Sequence, residues 1–301
     1  MNYINRESLV SPHLKKTPFQ ETVDVVSLEE GLKWVYWTRE NLPLSISVAR
    51  IQQISRDISA LFKGYLPGYF SCDTRYHDFG HTLRVLPPFC QLAVALFEKH
   101  PGTILPRDLE LGLIALFLHE SGYIRKKGDR SGTGAKYTFR HISRSVDFAG
   151  RYLACLGYRE EDLTSVEHMI HCTGVTPKPE QIDFVSQGCR LLGYALGTSD
   201  LLSQMADPCY LDKLPLLFLE FQEAYNYEGP EQLQKMGIQP FKSCEELIQS
   251  TPFFFKHVVH TRLDAMDALH RLLTDPETGT NPYLEKIQVH MKKIAQRYPP
   301  I

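Results

Sequence analysis

The chain lacks most features that announce a secreted, membrane-spanning or polyanion-coating protein. Its seven cysteines, at 72, 90, 155, 172, 189, 209 and 244, form no CxxC pair and are odd in number. That argues against a thiolate zinc site and against a disulfide framework, and makes a reducing cytoplasm the simplest location. Wholly apolar runs are short, as in Phe253-Phe254-Phe255, whereas a membrane span needs roughly 18–20 apolar residues. The start, Met1-Asn2-Tyr3-Ile4-Asn5-Arg6-Glu7, has no charged stretch followed by an apolar one, so no secretory signal is expected. Lys and Arg total 33 against 35 Asp and Glu, a net charge of −2. So even a balance gives no support to a nucleic-acid polymer or a membrane surface as partner. No repeat of fixed period is visible. Alternating β-branched segments between tight turns hardly occur, so no substantial sheet is expected.

What remains is an apolar, helix-forming sequence. With 43% apolar residues over 301 positions the chain can bury a sizeable core. Residues 1–45, broken by Pro12, Pro18 and Pro43, read as an irregular arm tied to the body by Trp34, Tyr36 and Trp37. Residues 46–301 read as one all-helical domain. Helical periodicity is expected over 45–62, 76–98, 108–119, 141–156, 162–172, 187–206 and 253–273, with Pro87-Pro88 a disturbance in the second. The 108–119 segment is apolar nearly all round and should be central. The apolar last helix offers a surface for a second copy, hence a homodimer. Phe253 to Phe255 are expected in the core.

The chemistry sits at helix ends. His77 and His81 stand four apart and share a helical face, where they can meet one metal; read alone, they are equally two polar residues at a helix start. His119-Glu120 closes the most apolar helix, where an ionised carboxylate is costly unless paired or coordinated. Asp200 lies inside the apolar run 191–206, and a lone buried Asp wants a cation, either a basic side chain or a metal. His141, with Arg144 a turn on, opens another helix, and His168 and His171 share a face of the next. Imidazole plus carboxylate without thiolate suits one or two divalent ions, with Mg, Mn, Fe and Zn all open. The segment 126–137 has glycines and a lysine, but Ala135 separates Gly134 from Lys136, so it is no P-loop. A flexible solvated loop is the expectation there, with a lid over the site as the alternative.

In this order His81, His119, Glu120 and Asp200 resemble the H…HD…D set of the HD-domain metal-dependent phosphohydrolases, over about residues 70–210. Glu120 stands where that superfamily has Asp; one methylene longer, it can still bind or bridge metals. Tyr76-His77-Asp78-Phe79-Gly80-His81 is also similar to the Y-H-N-x-x-H signature of the class I cyclic-nucleotide phosphodiesterases, with Asp78 in place of Asn. The resemblance implies an HD/PDEase-like all-α bundle. It makes His77 the proton donor and His81, His119, Glu120 and Asp200 metal ligands, with His141 and His168 or His171 completing a second site as in HD families with two extra histidines. Arg144, and Tyr123 just after the His-Glu pair, are expected to contact a phosphate ester or nucleotide. The implied activity is a metal-dependent phosphohydrolase, most simply a phosphodiesterase. The alternatives are an HD-fold di-iron oxygenase and a metal- or nucleotide-binding regulator with a degraded site.

Overall fold

The structure is a computed structural model that describes residue 25, residues 27–174 and residues 178–299. The described residues are helical and connecting segments, with a single isolated antiparallel bridge between Tyr69 and Lys126. The first 24 positions of the expected arm lie outside them. The rest of that arm is not irregular: Leu28–Asn41 is a helix, α1. Ser27 caps it by accepting from the Glu30 amide, Glu29 and Glu30 complement the positive end of its dipole, and Trp34, Val35 and Trp37 are buried. Ser27 two residues before the acidic pair is the start signal that the proline spacing obscured.

The core is built from α2 (Val48–Phe62), α3 (Phe79–Lys99), α4 (Pro106–Leu118), α5 (His141–Cys155), α6 (Glu160–His171) and α7 (Gln187–Met205). The isoleucines Ile51, Ile54 and Ile58 of α2 point inward at helical spacing. Residues 109–118 of α4 are all buried, so this helix lies inside the fold. It packs against α2, α6 and α7, while α3 packs against α1 and α7. Pro87 and Pro88 lie within α3, both buried, and the helix continues through them. An interior proline forfeits a backbone hydrogen bond, and here burial of the surrounding apolar side chains outweighs that loss.

The remaining helices are α8 (Tyr210–Glu228), α9 (Pro230–Lys235), α10 (Cys244–Phe254), α11 (His260–Ala265) and α12 (Pro282–Arg297). Of these, α8, α9 and α12 are additional to the expected set. The single helix expected over 253–273 is instead α10, a π-helical turn Phe255–Val259, α11 and a 3-10 turn Leu269–Leu273. Asp267 and Ala268 adopt left-handed backbone angles between the last two. Arg190 holds Asp267 there at 2.8 Å, and the bend lets Leu269 and Leu273 reach the core. Phe255 is buried, whereas Phe253 and Phe254 are exposed, so the Phe253 to Phe255 core expectation holds only for the third ring. Among the described residues no helix is long and apolar enough to cross a membrane.

The 126–137 segment is pinned rather than loose. Lys136 is buried and its Nζ donates to Asp129 at 2.5 Å and to the Ser131 carbonyl, while the Tyr137 hydroxyl donates to the same carboxylate at 2.6 Å. Thr133 bonds to Glu223 of α8, and the Gly134 amide donates to Asp73 at 2.7 Å. Burial disfavours the Asp129 charge, but Lys136 and Tyr137 outweigh it and hold this carboxyl at about 2. A depressed carboxyl contributes stability that is complete above its unfolded value near ~3.9 and is lost as pH falls through the folded one. The protection of residues 129–137 against amide exchange, measured relative to the intrinsic rate at each pH, is therefore expected to hold at pH 5 and to fall as pH drops from about 4 toward 2. An Asp129→Asn variant should exchange fast already at pH 5.

Candidate metal centre

Three helices deliver four polar side chains to one point. Asp78 caps α3 by accepting from the His81 amide at 2.8 Å, which sets His81 in the first turn. His119 closes α4, and Glu120 begins the 3-10 turn Ser121–Tyr123. Asp200 comes from the middle of α7. All four are buried, and one ligand atom from each lies within 4.8 Å of the others. His81 Nε2 is 2.8 Å from Asp200 Oδ1 and 3.7 Å from Glu120 Oε1. His119 Nε2 is 3.5 Å from Glu120 Oε1 and 3.8 Å from Asp200 Oδ1.

The tautomer of His119 follows from its neighbour. Its Nδ1 donates to the Leu116 carbonyl at 2.6 Å, so Nε2 carries the lone pair and faces the cluster. That Nε2 and Glu120 Oε2 are buried without a hydrogen-bond partner. Buried orphan acceptors are costly, and a cation between them would satisfy both. Burial also opposes ionisation of Glu120 and Asp200. The imidazoles around them outweigh it and hold both carboxyls below their ordinary values: His77 first and His119 next for Glu120, and the His81 hydrogen bond for Asp200. Two imidazoles and two carboxylates, all nitrogen and oxygen donors, fit a divalent ion of the Mg, Mn, Fe or Zn kind. This buried group could hold a metal ion.

Beside the cluster stands a group of three rings. His77 and His141 each stack on Tyr123 with centroids 4.6 Å from its own and lie 6.1 Å from each other, and His77 lies 6.4 Å from His81 by ring centroid. His77 Nδ1 donates to Glu220 Oε2 at 2.7 Å, and Glu220 Oε1 accepts from the Arg75 and Tyr76 amides at 2.8 and 2.7 Å. Burial alone would lower the His77 pKa, but the Glu220 carboxylate raises it above the ordinary histidine value. His141 donates from Nδ1 to the Thr138 carbonyl at 2.7 Å; burial and then the neighbouring His77 push its pKa down, against the pull of Glu120.

The structure thus brings together His81, His119, Glu120 and Asp200, with His77 and His141 alongside. His168 and His171 are not part of this group: His168 packs edge-on to Phe184 and His171 lies 3.6 Å from Glu167. Tyr123, expected to meet substrate, is instead buried against His77 and His141. Arg144 also has another place. Its Nε donates to the Gly122 carbonyl at 2.7 Å and Nη2 to that of Ile124 at 3.2 Å, with the guanidinium over the Tyr137 ring. Asp207, two turns beyond Asp200, pairs with Lys213 and Arg84 and accepts from the Cys209 amide. Glu220 escaped the sequence reading, although a lone carboxylate in the apolar run 214–221 carries the same signal that marks Asp200. Ser145 was also missed; its hydroxyl donates to the His119 carbonyl and accepts from the Gly122 amide, tying α5 to both ends of the turn. No protein-family model matches the chain, and no curated protein matches it.

Proposed function

We propose that the chain is a metal-dependent phosphohydrolase of the HD-domain kind, acting as a phosphodiesterase on a nucleotide or other phosphate ester. The observation that carries this reading is the convergence of His81, His119, Glu120 and Asp200 next to a buried His77–Glu220 pair. A divalent ion bound by those four residues would polarise phosphoryl oxygens and lower the pKa of water. His77 holds the other essential proton. Glu220, clamped by two backbone amides, accepts a hydrogen bond from Nδ1–H of His77, fixes its ring plane and favours the protonated imidazolium. Nε2 is then the atom that delivers a proton to a departing alkoxide, a leaving group basic enough to need one. Tyr123 packs flat on that ring and keeps water off one face. The di-iron oxygenase alternative draws on the same buried ligands, and iron content together with oxygen consumption would separate it from hydrolysis.

A panel of phosphodiesters and phosphomonoesters assayed with Mn, Mg, Fe and Zn tests the reading; no turnover on any of them would overturn it. His77→Ala is expected to lower turnover by about 10²–10⁴ with metal content unchanged; loss of metal in that variant would make His77 a ligand instead. Glu220 acts through His77, so Glu220→Gln lowers the His77 pKa. The alkaline limb of the kcat/KM profile should then move to lower pH, a shift that simple unfolding would not give.

A further inference from the structure

A second concave site lies against the same turn, and none of the four cluster residues lines it. It is a cleft of about 110 Å³ whose walls include Tyr69, Lys126, Arg144, Asp147, Phe148 and Arg151. Three cations face one carboxylate. None of the three forms an ion pair within the described residues. Arg144 and Arg151 are seven apart on α5, two turns on the same face. The backbone at Lys126 is held by its antiparallel bridge to Tyr69.

Arg144 gives the cleft its direction. Two of its nitrogens are committed to the Gly122 and Ile124 carbonyls, and its plane rests on Tyr137 with Cζ 3.5 Å from the ring centroid. The guanidinium is therefore held in place with Nη1 left over. A locked guanidinium with spare N–H donors suits phosphate geometry and loses little entropy on binding. The cleft is small, which suits a compact tetrahedral oxyanion.

We propose that this cleft binds inorganic phosphate, held by Lys126, Arg144 and Arg151, at a site separate from the metal centre and independent of the hydrolase reading. Because Arg144 grips the two carbonyls that flank Tyr123, the anion sits against the turn that carries Glu120 and Tyr123.

The test is calorimetric titration of inorganic phosphate into the full chain after chelator treatment. One saturable site is expected, weakened at least tenfold in the double variant K126E/R151E, whose two side chains are exposed and leave the core intact. The control K235E/K242E makes the same charge change at exposed positions outside the cleft and should bind as the parent does. Three results would overturn the proposal. One is no saturable binding to the chelated protein. Another is equal weakening in the control, which makes the attraction non-specific. The third is binding only when metal is restored, which puts the phosphate on the metal centre and leaves the hydrolase reading standing.

Discussion

Asp200→Asn is expected to strip the protein of its metal. Asp200 Oδ1 is the hub of the cluster, 2.8 Å from His81 Nε2 and 3.8 Å from His119 Nε2. The substitution keeps the size of the side chain but removes one of only two negative charges, and a neutral amide oxygen is a poor ligand for a hard or borderline divalent ion. Loss of a mere outer-shell partner weakens metal binding about 10–100-fold; loss of this ligand should exceed that. Elemental mass spectrometry on protein purified without chelator should show one or two equivalents per chain for the parent and a small fraction for the variant. Helical content should not change, because α7 is held on both sides by α3 and α6. If the variant kept the parent's metal content, the four residues would be a buried ion-pair network and the metal centre would lie elsewhere.

Gly122→Ala should be among the most damaging single-methyl changes available. A Cβ at Gly122 would lie 1.9 Å from the His141 carbonyl oxygen and 2.7 Å from the Ser145 amide, both backbone atoms of α5 that cannot swing aside. Either the turn or the first turn of α5 must move. Overpacking a core costs typically ~1–3 kcal/mol, and a clash with backbone on this scale should reach or pass the upper end. The damage is not confined to stability. The same turn carries Glu120 on one side and Tyr123 on the other, so displacing it misaligns a candidate metal ligand together with the ring on which His77 and His141 stack. A Tm drop of roughly 5–10 °C by calorimetry, with metal affinity falling in parallel, is the expected pair of results. Gly150→Ala, inside α5 with no neighbour within 4 Å of the added methyl, is the control; it should leave metal affinity unchanged and raise Tm slightly, because it removes a glycine from a helix interior.

Much of the site was legible because each ligand breaks a local pattern. His119 and Glu120 end a helix that is otherwise apolar all round, and Asp200 interrupts another; a charge in such a place demands a partner whatever the fold. His77 and His81 declare themselves by helical spacing. The positions at which such reasoning failed depend on something no local window contains. His168 and His171 have suitable chemistry and plausible order in the chain, yet α6 turns them toward Phe184 and Glu167. Arg144 looked like a phosphate grip at the metal because it follows His141 by one turn. Its guanidinium instead reaches back to Gly122 and Ile124.

The same division runs through the fold. Periodic burial of isoleucine and leucine, a capping serine or aspartate, and the scarcity of strand-forming segments determine an all-helical chain from the sequence alone, since each acts within a few residues. Which helix meets which was settled only by packing. His77 finds Glu220 across 143 residues and His81 finds Asp200 across 119. The segment 126–137 looks free by composition, and is pinned because Asp73 and Glu223 come to it from two distant parts of the chain while its own Asp129 holds Lys136 and Tyr137. Local preference is written in neighbouring residues. A partner brought from a hundred residues away depends on how apolar faces stack, and that is decided by the core as a whole.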